Sequence, residues 1–427
     1  MKTFNVAIVG LGTVGSGVYK ILKQKASLLA HRAGVRIRLV AACDNDAKKR
    51  RALNLSRSIA VRDLRQVVND PKIDCIVELI GGKGIAKKLI LDAFKNGKDV
   101  VTANKALLAE CGKEVFAAAK RSDRQIYFEA SVGGGIPVIK SLRESLVSND
   151  ISSILSIING TANYILTRMS IDKMDFKQAL KLAQHKGYAE ADPSFDIEGI
   201  DSAHKITILS EIAFGKSVSL KEVYCQGITH IDEADIEFAD EVGYVIKLLA
   251  IAKQTKGGIE IRVQPTLLPK DHILASVNGS FNAIYLHGDE TGDMLLYGRG
   301  AGSRPTASAV VSDIIDLAKV RCANAPLLPY PAFAPISAKK LVDIESRYYL
   351  RFSVIDKPGV LSQISSLLGK QGISISDVMQ RERKAGRVVP LIVLTHEAYE
   401  KNLRAAIKQI DRLKCIKKRT QVLRIEE

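Results

Sequence analysis

Potentially reactive side chains in this chain are gathered into a few short segments. The densest reads Gly187-Tyr-Ala-Glu190-Ala-Asp192-Pro193-Ser-Phe-Asp196-Ile-Glu-Gly199-Ile-Asp201-Ser-Ala-His204-Lys205, and a loop with so many acids is either solvated or functional. A helix begins at Asp201 and runs through Ile206, Ile208 and Leu209, so Asp201 and Lys205 share one face. They form either a surface ion pair of little energetic weight or a carboxylate and an ammonium set out for a ligand. A second lysine, Lys105, follows directly on the apolar run Val100-Val-Thr-Ala-Asn104. Lysine is not expected in a core, so it is either a solvated loop residue or a cation aimed at a cofactor or substrate. Between these lies Ser131-Val-Gly133-Gly134-Gly135-Ile-Pro137. Three successive glycines expose backbone, which suits a turn passing close to a cofactor, and exposed carbonyls there suit a monovalent cation; Pro137 can start the next helix.

The elements that position these residues begin near the first residue. Residues 4–9 are β-branched and apolar, and Gly10-Leu-Gly12-Thr13-Val14-Gly15 follows at once, before a helical pattern through Val18, Ile21, Leu22 and Leu28. In this strand-to-helix setting Gly10 permits the tight turn, Gly12 lets backbone approach a pyrophosphate and Gly15 allows close packing of helix on strand. The helix start supplies N–H groups to the phosphates. A second strand over 37–42 ends at Cys43-Asp44, where a dinucleotide fold reads the adenosine ribose. Asp44 suits a free 2′-OH and hence NAD, whereas Lys48, Lys49, Arg50, Arg51 and Arg57 suit the 2′-phosphate of NADP, so both cofactors stay open. Strands over 75–80, 99–102 and 125–129, with a helix over 86–96, continue an alternation that predicts a parallel sheet. A strand over 154–158 closes on Asn159-Gly160-Thr161-Ala-Asn163-Tyr164 before a helix over 165–169. A second glycine turn, residues 298–306, opens a helix over 307–320 that returns to the nucleotide domain.

Composition narrows the field. With 427 residues and 46% hydrophobic content, two or three domains with buried cores are expected. No apolar run reaches membrane-spanning length and the first strand does not read as a signal peptide, so a soluble, cytoplasmic protein is expected. The six cysteines are scattered, with no metal-ligand spacing, which argues against structural metal and disulfides. The net charge of +17 comes without a nucleic-acid motif or aromatic platform, and reads as a solvated basic surface.

Taken together, the segments at 10–15, 101–108, 129–137, 159–166, 187–205 and 298–311 resemble homoserine dehydrogenase in order and spacing, over nearly the whole chain. The resemblance implies interconversion of L-homoserine and L-aspartate 4-semialdehyde with NAD(P), in threonine and methionine biosynthesis. It implies Lys205 as the general acid at the substrate oxygen, Lys105 as a second cation at that oxygen, and Glu190 and Asp201 as holders of the substrate ammonium. Gly10, Gly12, Thr13, Val14, Gly15, Asp44, Lys105, Gly187 and Gly302 would line the cofactor, and Glu129, Val132, Gly134 and Ile136 would hold a sodium ion. The chemistry agrees, because a carbonyl that accepts hydride develops negative charge on oxygen, which two ammonium groups stabilise more in the transition state than in the ground state. Two departures touch cofactor geometry: residues 83–86 lack the expected acid and proline, and Cys43 stands where NADP-preferring members often carry a base.

Prolines 326, 329, 331 and 335 mark a connector over 321–347. Beyond it, strands over 348–354, 373–376, 388–394 and 415–425 alternate with helices from 358 to 368 and 397 to 410 in a βαββαβ order that resembles an ACT domain, with Pro358-Gly359-Val-Leu as its turn. By that resemblance it binds threonine between paired domains, near residues 356–360 and Asp377, unless its role is only structural or dimerising. The expected organisation is α/β overall: a Rossmann-type doubly wound parallel sheet at 1–130 completed by 303–320, an α+β catalytic and dimerisation domain at 131–302, the connector, and a ferredoxin-like ACT domain at 348–427. A homodimer or homotetramer is expected, with no nucleic-acid or membrane partner. A phosphorylating aldehyde dehydrogenase would share the first motif, but Cys111 and Cys225 lack a histidine setting for a nucleophile. A non-enzymatic nucleotide-binding regulator is separated from an enzyme by nicotinamide absorbance with homoserine.

Overall fold

The apolar run at the start of the chain forms strand Thr3–Val9, the centre of a six-stranded parallel sheet in the order Ala60–Val61, Arg36–Cys43, Thr3–Val9, Cys75–Glu78, Asp99–Thr102, Ile126–Tyr127. Strand order reverses beside Thr3–Val9, so the carboxyl ends of Thr3–Val9 and Cys75–Glu78 flank the crevice where a doubly wound sheet binds ligands. The computed structural model describes residues 1–326, 329, 334–380 and 386–427. It divides into two units: Met1–Ile154, Ser202–Leu220 and Phe281–Ile336 in the first, Leu155–Asp201, Lys221–Ser280 and Ser337–Glu427 in the second.

In the first unit, the helix after the glycine loop is broken. Thr13–Gln24 stops at Lys25 (φ −113°, ψ 18°) and Ala26–Ala33 follows as a separate helix. Val18 and Leu22 pack with Val6 and Ile8 of the first strand and with Ile314 and Leu317 of helix Ser303–Ala323. That late helix approaches closely because Gly17 lacks a side chain: a Cβ there would lie 2.9 Å from the Ala307 Cβ. Its far end is held by Arg321, whose guanidinium grips the buried Asp99 carboxylate with two bonds of 2.6 Å. The strand expected over 125–129 shortens to Ile126–Tyr127 and turns into the one-turn 3₁₀ helix Glu129–Ser131. The cause is Glu129, whose N–H donates to the Asp313 carboxylate (2.9 Å) while its own carboxylate accepts the N–H groups of Ile139 and Lys140. Pro137 sits at the cap (ψ 61°) of the short helix Val138–Lys140, one place earlier than expected.

In the second unit, Tyr244–Thr255 and Gly258–Pro269 form a long antiparallel hairpin. The C-terminal sheet runs Ile416–Ile425, Glu345–Ile355, Val388–Thr395, Ile375–Met379, all antiparallel, with helices Val360–Lys370 and Glu400–Ile410. Tyr348, Leu350, Phe352 and Val354 alternate along one strand and face Ile364, Leu368, Leu403 and Ala406 of these helices. This is the ferredoxin-like order expected from the sequence. The second helix starts three residues later than expected, because Ala398 and Tyr399 pair with Ser346 and Glu345 instead.

The two sheets of this unit are joined. Thr266 and Leu267 pair in parallel with Arg424 and Ile425. Beside this seam Arg262, 1% exposed, is neutralised by Glu260 at 2.8 Å and by Glu426, which also bonds Lys253. Arg424 spans from Glu400 (2.7 Å) to the Gln264 side chain (2.7 Å). Of the expected connector, residues 321–323 extend helix Ser303–Ala323, and Ala334–Pro335 pairs with Lys216–Ser217. Pro331 lies outside the described residues. Among the described residues, no helix is long and apolar enough to cross a membrane.

Candidate active site

The glycine loop separates its three glycines by function. Gly10 (φ +95°) passes against the next strand's end, where a Cβ would meet the Leu79 carbonyl at 2.5 Å. At Gly15 a Cβ would meet the Gly10 carbonyl at 1.9 Å. Around Gly12 nothing lies within 4 Å, so that glycine faces open space. Gly12 caps helix Thr13–Gln24 with no side-chain acceptor on its first N–H groups. Open space over uncapped N–H groups fits a pyrophosphate. Asp44, 8% exposed, accepts the Leu11 N–H (2.8 Å) and the Asp46 N–H (2.9 Å), so its carboxylate is fixed at the loop, with Lys49 3.8 Å away. The Arg50 guanidinium caps the Asp44 carbonyl. Gly302 (φ +118°) caps helix Ser303–Ala323, and the Ser303 hydroxyl donates to the Thr13 carbonyl at 2.7 Å, which brings the second glycine turn beside the first. Val14 packs on the core; Gly187 (φ +73°) closes helix Phe176–His185 and is exposed.

Lys105 is the first residue of helix Lys105–Arg121, whose cap is Asn104. The cap side chain accepts the Leu107 N–H at 3.1 Å and donates to the Gly82 carbonyl at 2.7 Å. Behind it, Thr102 donates to the fully buried Glu78 carboxylate at 2.6 Å. Sequence reasoning missed Glu78, because it fell inside the strand expected over 75–80 and its partner Thr102 is distant in sequence.

Lys205 (8% exposed) and Asp201 (2%) both lie on helix Ile200–Phe214, buried and not on a solvated surface. In the second unit the Asn159 amide donates to Asp201 at 2.9 Å and to Asp196 at 2.7 Å. Asp196 also accepts the Thr161 hydroxyl at 3.1 Å. Asn159 thus clasps two acids while its oxygen caps helix Gly160–Asp172 through the Ala162 N–H (2.8 Å). It too was missed as a site residue, although a side-chain cap two helices before the acidic loop was readable. Glu190 is exposed on that loop, its carbonyl held by Gln184 at 3.1 Å.

The glycine turn at 133–135 also meets the one at 298–306 directly. A Cβ on Gly134 would lie 2.5 Å from the Gly300 carbonyl, and the Gly135 N–H donates to the Arg299 carbonyl at 3.1 Å. Beside them burial pushes the Glu129 carboxyl up to about 7, against the two N–H groups it accepts. Burial and the nearby Glu129 raise Asp313 well above the usual carboxylate range. Among the described residues no cluster of three or more His, Cys, Asp or Glu is placed to hold a metal, so a cation here would rest chiefly on the backbone oxygens of residues 129–136.

A doubly wound sheet with an open glycine loop, a fixed acid at the ribose position, a half-buried lysine just past one strand end and a buried lysine on a helix defines a dinucleotide-dependent oxidoreductase with an appended ACT domain. Family models match in the same places: "Homoserine dehydrogenase, NAD binding domain" over 10–129, "Homoserine dehydrogenase" over 137–315, and "ACT domain" over 348–415. Homoserine dehydrogenases of Neisseria gonorrhoeae and Pseudomonas aeruginosa are 45% and 43% identical, over 100% of this chain and 99% and 100% of theirs. The crystal structure of a homoserine dehydrogenase from Thiobacillus denitrificans superposes with a TM-score of 0.95 at 44% identity, over 100% of this chain and 99% of that one. A hyperthermophilic archaeal homoserine dehydrogenase in complex with NADPH gives 0.64 at 28% identity, over 77% of this chain and 100% of that one. The chain belongs to the homoserine dehydrogenase family of NAD(P)-dependent oxidoreductases.

Proposed function

We propose that this chain interconverts L-homoserine and L-aspartate 4-semialdehyde in the cytoplasm, in the route to threonine and methionine. The observation that carries the reading is the burial of Lys205 and Asp201 on one helix, where a surface pair would be solvated. When bound, the nicotinamide supplies or accepts the hydride. Lys205 gives a proton to the oxygen of the carbonyl under reduction and takes it back in oxidation, and Lys105 holds the same oxygen. Asp201, fixed by Asn159, and Glu190 hold the substrate ammonium. Gly10, Gly12, Thr13, Val14, Gly15, Gly187 and Gly302 shape the cofactor site. The fixed carboxylate of Asp44 accepts the ribose hydroxyls and opposes a 2′-phosphate, so NAD is the preferred cofactor. A sodium ion at Glu129, Val132, Gly134 and Ile136 offsets the burial of the Glu129 charge.

Threonine binds the ACT domain near residues 356–360 and Asp377, and ACT pairing makes the protein a homodimer or homotetramer. The test of the activity is nicotinamide absorbance with homoserine. Wild type turns over, and Lys205→Ala loses about 10² to 10⁴ in kcat while still binding cofactor. Near-normal turnover in that variant would refute the assignment.

A further inference from the structure

We infer that Glu78, acting through Thr102 and Asn104, is the positioning residue that sets Lys105 in the site; this rests on the role of Lys105 proposed above. Glu78 is 0% exposed at the end of strand Cys75–Glu78. One carboxylate oxygen accepts the N–H groups of Ile80 (2.9 Å) and Gly81 (3.2 Å), and the other accepts the Thr102 hydroxyl (2.6 Å). The Thr102 oxygen in turn accepts the Asn104 N–H at 3.0 Å. Asn104 returns to the loop that Glu78 holds, through its bond to the Gly82 carbonyl at 2.7 Å. The bonds close a ring that joins the carboxyl ends of two neighbouring strands, Cys75–Glu78 and Asp99–Thr102.

That ring has two outputs. It fixes the loop at Gly81 (φ +79°) and Gly82 (φ +71°), whose left-handed backbone already restricts it to one path, and through Leu79 it abuts Gly10 of the glycine loop. It also fixes the cap of helix Lys105–Arg121, and therefore the point from which Lys105 departs. Among the described residues, no cation pairs with Glu78, so its burial does not serve an ion pair. A carboxylate without a counter-ion is costly to bury and is tolerated only when its lone pairs are filled. An apolar side chain would suit the sheet better at this position. What the carboxylate adds is direction, and a shift on the order of 1 Å in a catalytic group costs on the order of 10²-fold in rate.

A double-mutant cycle tests this. Thr102→Val and Glu78→Gln preserve volume; the first removes the Thr102–Glu78 bond, and the second replaces one acceptor oxygen by a donor and so breaks either that bond or the pair to Ile80 and Gly81, while Thr102→Ser keeps the hydroxyl. In the Lys105 background the first two variants should lower kcat about tenfold or more, with KM for homoserine changing less than about twofold, and Thr102→Ser should restore kcat to within about twofold. In a Lys105→Ala background the same changes should cost less than about twofold more, because residues that act as a unit are not additive. Losses that multiply in full across the two backgrounds would show a merely structural role and overturn the inference. The reading of Lys105 fails separately, on the single variant Lys105→Ala: if that protein keeps wild-type kcat, both fall.

Discussion

Gly12 and Gly15 are three residues apart in the same motif, yet their surroundings demand opposite consequences of the same substitution. Gly12→Ala adds a methyl group to open space at φ −69°, so the melting temperature should stay close to that of wild type. The added methyl would stand where the cofactor phosphates approach, and the KM for NAD(P) should rise at least about tenfold. Gly15→Ala drives a methyl group into a carbonyl 1.9 Å away, and should lower the melting temperature before any kinetic effect is read. If both variants melt alike, the distinction between them is wrong. At the ribose, Asp44→Ala removes the fixed carboxylate and leaves Lys49 and Arg50 at the rim; the ratio of kcat/KM for NADP to that for NAD should rise at least about tenfold. An unchanged ratio would remove Asp44 as the discriminating residue.

At the level of elements, what the sequence disclosed was mostly local. The strand-loop-helix at the start, the alternation of the sheet and the βαββαβ order near the C-terminus follow from periodicity and glycine placement, and they stand where residues 4–9, 37–42 and 348–354 placed them. The lysine candidates were legible as oddities of position, but the burial of Lys205 was not. What stayed hidden depended on contacts distant in sequence: the ring that starts at Glu78, the clasp of Asn159 on two acids, and the approach of Gly134 to Gly300. The short strand before Glu129 shows the same limit, since its end is decided by Asp313 on a helix that forms from much later sequence. Two buried carboxyls, Glu129 in this turn and Glu211 on helix Ile200–Phe214, carry a pH dependence. Glu129 and Glu211 are both raised by burial from 4.5 to about 7 in the folded protein. Between those values the folded state keeps protons that the unfolded chain has released, so stability falls as pH rises through this window. The loss is on the order of 3 kcal/mol at most for each group. Urea unfolding at pH 5 and pH 8 should show it in choline buffer, and Glu211→Gln should flatten part of the slope. Sodium should recover part of the loss at pH 8 in wild type; equal curves in sodium and choline would remove the proposed ion from Glu129.

Over the whole molecule, the C-terminal sheet is no detachable appendage, because it supplies charges on which the neighbouring hairpin depends. Glu426→Gln removes a buried partner of Arg262 and Lys253 and should destabilise the protein by about 3 to 5 kcal/mol, read by denaturant unfolding. A cost below about 1 kcal/mol would mean that Arg262 finds other neutralisation. For the same reason, cutting the chain near Ser346 would strip Arg262 of this partner, and a loss of threonine response after such a cut would not distinguish sensing from damage. Asp377→Ala in the full chain keeps the seam, and it should raise the threonine concentration for half-inhibition at least about tenfold. An unchanged threonine response would sink the effector assignment. The seam has a further consequence in time. Arg262 and Glu426 are 164 residues apart, and at ribosomal rates of about 5 to 20 residues per second the arginine emerges on the order of ten seconds or more before its partner. The hairpin must therefore wait, hydrated or chaperoned, for a late arrival, and the seam can close only after residue 426 has been translated.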